Sequence, residues 1–225
     1  MRTHNLATLA LAISTAFSAP VLAQDTETTE KKQSALEQIT VTAQKRTQSI
    51  QEVPISVATL SGEKFESLFS GGEDILALAV RVPGLYAESS NGRVAPRFYI
   101  RGLGNTDFDL AASQPVSIIM DEVVMENVVL KSFPLFDVQQ VEVLRGPQGT
   151  LFGRNTTAGI IKFDTVKPTQ DVEGYAKAGF GSYGTMNFEG AVSGGLTDEL
   201  SARLSLLSQE RDDYIDNAAS GQKDA

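Results

Sequence analysis

Residues 145–165 read RGPQGTLFGRNTTAGIIKFDT. The stretch as a whole holds four glycines, one proline, two arginines and four threonines, and it ends in the alternation GIIKFDT. Its first half is too rich in glycine for a long helix. Its second half has the period-two pattern of a strand. Gly146, Gly149 and Gly153 could expose backbone amides to a phosphate, but no Lys-Ser/Thr follows them, so the run is not a nucleotide-binding loop. Tight turns and close packing account for the glycines better.

Upstream of this stretch the pattern is mixed. VPISVAT (residues 53–59) is a strand that tolerates Pro54 only near its start or at an edge. Ser61 can cap a helix that runs to Leu68 and Phe69, stopped by Gly71-Gly72. EDILALAVRVPG (73–84) predicts an amphipathic helix carrying Ile75, Leu76, Leu78, Ala79 and Val82, ended by Pro83-Gly84. FYIRGLG (98–104) turns from strand into glycines, and PVSIIMDEVVM (115–125) is apolar on both sides of an acidic pair. KSFPLFDVQQVEVLRG (131–146) predicts a short helix from Pro134 to Gln140, then the strand VEVLR.

Downstream of Pro168 the texture changes to long alternation. Tyr175, Lys177, Gly179 and Gly181 share one parity; Ala176, Ala178 and Phe180 share the other. SARLSLLSQ resumes the pattern after GGLTDE, which predicts long antiparallel hairpin strands.

The N-terminus, MRTHNLATLALAISTAFSAPVLAQ, carries an early arginine, an apolar run from Leu6 to Phe17 and small residues up to Ala23. These are the parts of a secretory signal peptide cleaved after Ala23, and the apolar run is too short to span a bilayer as a helix. Residues 24–35 read as a polar leader. The 225-residue chain has no cysteine and one histidine, His4, which falls in the signal peptide. Thiolate chemistry and, in the mature chain, histidine triads and histidine metal sites are thereby excluded. The net charge of −9 argues against nucleic acid as a partner. Asp212-Asp213 reads as a calcium site or, more simply, a solvated loop. No catalytic, cofactor or metal residues are assigned, and the chain is read as a non-enzyme.

RGPQGTLFGRNTTAGI resembles the most specific motif of the plug domain of TonB-dependent outer-membrane receptors. Other features resemble that family in the same order. Ile39-Thr40-Val41-Thr42-Ala43 is similar to a TonB box. VPISVATLSG and LALAVRVPGLY are similar to the first plug strand and a helix ending in a Pro-Gly step. FYIRGLG contains a segment like the family's Ile-Arg-Gly-x-Gly, and GYAKAGFGSYGTMNFEGAVSG is similar to the first barrel strands. The resemblance covers roughly residues 36–215. It departs at Glu122, where the family often has glycine after Asp121, and at Ala158-Gly159-Ile160-Ile161, where Gly-Gly-Ala-Ile is common.

The resemblance implies an α+β plug domain with a small mixed β-sheet and short helices, followed by the start of an antiparallel transmembrane β-barrel. The expected layout is a signal peptide (1–23), a periplasmic leader with the TonB-box-like segment (24–48), a plug (49–168) and the first strands of an incomplete barrel (169–225). A spanning strand needs about 9–11 residues, so residues 170–225 supply only two or three, and alone they are not expected to form a pore.

It further implies energy-coupled uptake of a scarce nutrient at the outer membrane, with the plug facing the periplasm and the barrel lumen. An iron-siderophore complex is the foremost substrate class; haem, cobalamin, carbohydrate and a soluble periplasmic binding module are the alternatives. The implied partners are TonB with its inner-membrane energising complex, the outer membrane and a small-molecule or metal-chelate substrate. Ile39 to Ala43 would contact TonB as an exposed extended segment that adds to a partner's sheet edge; an ordinary edge strand is the plainer reading. Arg101, Gly102, Arg145, Gly146 and Arg154 would dock the plug to acidic side chains on the barrel wall, the alternative being unremarkable surface arginines.

Overall fold

The computed structural model describes residues 39–69, 74–90, 94–107, 109, 111–212, 215–216 and 223–224. The signal peptide and polar leader expected in residues 1–35 lie outside the described residues.

In chain order, two short strands, β1 (Thr40–Val41) and β2 (Gln48–Ser49), pair antiparallel. Then come strand β3 (Ser56–Ser61) and helix α1 (Gly62–Phe69). A 3-10 turn (Ile75–Ala77) runs into helix α2 (Leu78–Arg81), and β4 (Leu85–Glu88) pairs antiparallel with β5 (Arg97–Ile100). β6 (Val116–Met120) and β7 (Val123–Val124) form a tight hairpin. β8 (Val138–Arg145), helix α3 (Gly149–Phe152) and β9 (Gly159–Thr165) follow.

The central sheet is five-stranded, in the order β3-β8-β9-β6-β7. It is antiparallel except where β6 runs parallel to β9. Its two faces meet two different cores. Val141, Val143, Ile161 and Phe163 enter the larger one, with Leu60, Phe65, Phe69, Ile75, Leu78 and Val82 from the helical side. Leu144, Ile160 and Ile119 enter a smaller one, closed by Val41, Ala43, Val53 and Phe152. Alternation along β8 and β9 produces this split, since successive side chains take opposite faces.

A separate three-stranded antiparallel sheet follows: β10 (Glu173–Phe180), β11 (Met186–Gly195) and β12 (Ser201–Glu210). One parity points outward, with Phe180, Phe188, Val192, Leu204 and Leu206 exposed. The other carries Tyr175, Glu189, Ser193, Arg203 and Ser205, which are buried or half-buried on the inner side. An apolar outer band over a polar inner face is the pattern of strands whose outer side meets lipid. Among the described residues no helix is long and apolar enough to cross a membrane; the crossing elements are strands. The fold is the expected one: a mixed-sheet plug domain with short helices, then the start of an antiparallel transmembrane barrel.

Local expectations need correcting in three places. The helix expected from Pro134 to Gln140 is absent. Asp137 sits at φ 51, which a right-handed helix cannot accommodate, and Val138 already pairs with Thr165. The helix expected over residues 73–84 shrinks to the 3-10 turn and the four residues of α2. Val82 is extended at φ −113, ψ 112, because the residue before Pro83 is driven out of the helical region. Finally, residues 39–43 are not a free strand: Val41 and Ala43 are fully buried.

Candidate functional site

The seat of residues 39–43 follows from the register of β8 and β9, which sets Glu142 opposite Lys162 and Gln140 beside Asp164. These four side chains occupy the face that also carries Leu144 and Ile160, so that face is apolar at one end and charged at the other. Residues 39–55 cover both ends. Val41 and Ala43 fill the apolar end, and Thr42 meets the charged one.

The Thr42 backbone N–H donates to Glu142 Oε1 at 2.6 Å, and Lys162 Nζ donates to the Thr42 hydroxyl at 2.7 Å. That hydroxyl lies within donating distance of Asp164 Oδ2 (3.2 Å) and Glu142 Oε1 (3.3 Å). Lys162 Nζ also donates to both Asp164 oxygens, at 2.6 and 2.8 Å, and stands 3.3 Å from Glu122 Oε1. Gln140 Nε2 donates to Glu142 Oε1 at 2.5 Å and to the Thr40 carbonyl at 3.1 Å.

Glu142 is completely buried and Lys162 nearly so. Burial pushes the Glu142 carboxyl above its ordinary value, against the Thr42 hydrogen bonds and the Lys162 charge. Burial works against the Lys162 ammonium too. The hydrogen bonds and charge of Asp164, with help from Glu122 and Glu142, outweigh it and raise that pKa. A buried charge survives when it is paired and hydrogen-bonded, and here Asp164 and Glu122 pair with the ammonium while the Glu142 charge adds to the field around it.

Arg101 is exposed at φ 52, beside Gly102 at φ 80, in a turn closed by bonds between Ile100 and Leu103. Arg145 Nη1 donates to Ser56 Oγ at 3.1 Å, so it reaches the neighbouring strand of its own sheet. Gly146, at φ 107, follows it and donates its N–H to the Ala158 carbonyl. Arg154 pairs with Glu126, also within the mixed-sheet unit.

The ion pair between the two sheets runs with the opposite polarity. Asp137 supplies the carboxylate from the mixed-sheet side, and Arg203 of β12 supplies the guanidinium. Ser205 donates to the same carboxylate. Sequence reasoning missed this pair and missed Lys162. The available signal was parity: Arg203 is a cation at an inward position, and Lys162 interrupts an apolar strand. Asp213 of the suggested acidic pair lies outside the described residues.

Residues 49–160 match the sequence profile described as TonB-dependent Receptor Plug Domain. With the mixed sheet and the amphipathic strands that follow, this decides the assignment. The chain belongs to the TonB-dependent receptor family.

The pesticin receptor of Yersinia pestis is 34% identical over 147 residues, covering 64% of this chain and 21% of the receptor. The iron-regulated outer membrane virulence protein of Vibrio cholerae is 28% identical over 219 residues, covering 91% of this chain and 31% of that protein. Among solved structures, the ferric yersiniabactin uptake receptor of Yersinia pestis superposes with a TM-score of 0.67 at 29% identity, over 75% of this chain and 26% of that one. The chain thus spans about a fifth to a third of the length of these relatives. TonB-dependent receptors are transport proteins of the outer membrane rather than enzymes. Ile39–Ala43 and Lys162 both fall outside the residues matched by the plug profile.

Proposed function

We propose that this chain is the plug-bearing part of an outer-membrane receptor for energy-coupled uptake of a scarce nutrient, an iron-siderophore chelate before haem, cobalamin or carbohydrate. The relatives named for iron regulation and for ferric yersiniabactin uptake support the iron class. In this reading a leader carrying the TonB box extends to residue 48, the plug occupies 49–168 and the barrel wall begins at 169. The plug faces the periplasm on one side and the barrel lumen around it.

The observation that carries the reading is the seating of Ile39–Ala43 against the plug sheet. The segment pairs with β2 over only two residue pairs. A segment held so briefly can be withdrawn and joined, backbone to backbone, to the sheet edge of periplasmic TonB. Force transmitted through it would then act first on β8 and β9, where Glu142 and Lys162 hold Thr42. Arg101, Gly102, Arg145, Gly146 and Arg154 remain candidates for contact with the rest of the wall. A soluble binding module is disfavoured by the apolar outer band of β10–β12.

The test uses the full-length receptor. Crosslinking to the TonB C-terminal domain should place the contact at residues 39–43 and disappear with Ile39→Pro or Val41→Pro. Contact unchanged by either replacement would reject the placement. Growth of a deletion strain on a panel of ferric chelates, haem, cobalamin and oligosaccharides assigns the substrate; rescue by a non-iron nutrient alone would overturn the iron class.

A further inference from the structure

We infer that Lys162 is a positioning residue for the Ile39–Ala43 segment, and that its tie to Thr42 sets how readily the segment leaves its seat. The inference deepens the partner-contact reading of that segment and rests on it for its consequence.

Strand addition needs the segment's backbone and side chains free. In the seated state the Thr42 N–H is given to Glu142, and Val41 and Ala43 are fully buried. The seated segment is therefore closed to a partner strand. Its regular backbone pairing is too short to keep it there, since a lone two-stranded ribbon is marginal in water even at full length. Beyond the single Gln140 bond to the Thr40 carbonyl, the remaining polar hold is concentrated at Thr42, where Lys162 and Glu142 both bind it.

The charge balance explains why Lys162 is the central member. Glu142 and Asp164 lie on adjacent strands of one sheet face, and both approach the Thr42 hydroxyl. Two carboxylates in one buried place repel each other unless a cation lies between them. Lys162 is that cation, with the segment as its lid. If the ammonium is removed, the carboxylates are relieved by water, and water enters by displacing the lid.

Glu122 adds an independent indication. It stands at φ 69, directly after Asp121 at φ 45, in a turn whose geometry favours glycine. A side chain at that position is conformationally costly. This one extends its carboxylate to 3.3 Å from Lys162 Nζ and 4.0 Å from Lys45 Nζ. The hairpin tip of β6–β7 is thereby joined to the same cluster, and through Lys45 to the chain just beyond the segment.

These 225 residues contain no cysteine. With any further cysteine of the full-length receptor replaced by serine, Ala43→Cys introduces a unique reporter of release. Maleimide labelling of the thiol at position 43, without partner, should be about tenfold faster with Lys162→Met, the size expected for losing a hydrogen bond to a charged group. Thr42→Val should act in the same direction. The double variant should label no faster than Lys162→Met alone, because both changes remove one tie. A thiol introduced instead by Ile161→Cys, on the opposite face of β9, should stay protected in the Lys162→Met background.

Unchanged labelling at position 43 in both single variants would overturn the inference. So would equal labelling at position 161, which would mean general unfolding. Faster labelling at position 43 with no gain in affinity for the TonB C-terminal domain would leave the seat as described and sink the partner reading instead.

Discussion

Asp137 of the plug and Arg203 of the barrel wall form a two-point ion pair, with Arg203 Nε donating to Asp137 Oδ2 at 2.8 Å and Nη2 donating to Oδ1. Both side chains are nearly buried, at 8% and 9% exposure. Planar guanidinium and carboxylate match in this arrangement. The pair fixes the start of β8 to the wall, some five residues along the strand from Glu142 and the seat of the segment. The end of β8 fixed to the wall and the part bearing the seat are thus distinct positions on one strand.

Breaking this pair from one side leaves a buried charge without its partner. Asp137→Ala should destabilise the plug–wall contact by about 3 kcal/mol, and Arg203→Ala by a similar amount. The double variant should lose clearly less than the sum. Denaturant unfolding of the full-length receptor measures all three, and simple additivity would show that the pair is not coupled. Asp137→Asn separates charge from backbone, because asparagine tolerates the left-handed conformation.

Acid should affect the seat and the plug–wall pair in opposite senses. Burial raises the Glu142 carboxyl above 4.5. Its proton is held more tightly when the segment is seated, so seating gains as pH falls through the raised value and weakens as pH rises past it. At Asp137 burial acts upward, but the Arg203 and Ser205 hydrogen bonds and the Arg203 charge hold the pKa below 3.8. That contribution is full above 3.8 and is lost as pH falls through the lower folded value. As pH falls from neutral through the raised Glu142 value, while staying above 3.8, the seat should tighten and the plug–wall pair should hold. A nitroxide on Ile39→Cys should lose its mobile spectral fraction over that range; growth of the fraction would contradict the assignment.

The outer face of β12 should reject charge. Leu204→Arg places a guanidinium among exposed apolar side chains near mid-strand. It should cost about 2–4 kcal/mol of folded stability in a bilayer if the site lies near the midplane. Asn187→Lys, on the inner parity of β11, should cost much less. Equal losses in vesicle refolding would mean that the two faces are wrongly assigned.

Gly159 is constrained both by space and by backbone. It has φ +149, and a Cβ there would lie 2.2 Å from the Leu144 carbonyl oxygen and 2.8 Å from Ile100 Cδ1. Gly159→Ala should cost on the order of 3 kcal/mol through displaced backbone. Thermal unfolding checks this, and a change below about 0.5 kcal/mol would show that β8 and β9 can separate there without strain.

The run 145–165 led to the fold class through its resemblance to the plug motif, while its local constraints specified only its own backbone. GIIKFDT alternates and becomes β9, and Gly153 ends α3 at a positive φ of 80 that glycine adopts freely. Parity alone likewise separated the outer and inner faces of β10–β12. Sequence over-extended the helix at 73–84, although Pro83 stood in plain view as its terminator, because the periodic apolar pattern does not distinguish a 3-10 turn from a helical one.

What only the tertiary structure decided are the relations across long separations. Thr42 meets Glu142 across 100 residues and Lys162 across 120, and Asp137 meets Arg203 across 66. Local patterning gives each residue a face but not the residue opposite it. The plug arginines could be named as docking candidates from their motif. That the observed plug–wall ion pair instead joins a plug aspartate to a wall arginine depends on how the two sheets face one another. The same holds for residues 39–43, whose sequence specifies an extended segment. Whether it is free or seated is set by a half-apolar, half-charged sheet face that exists only once β8 and β9 have paired.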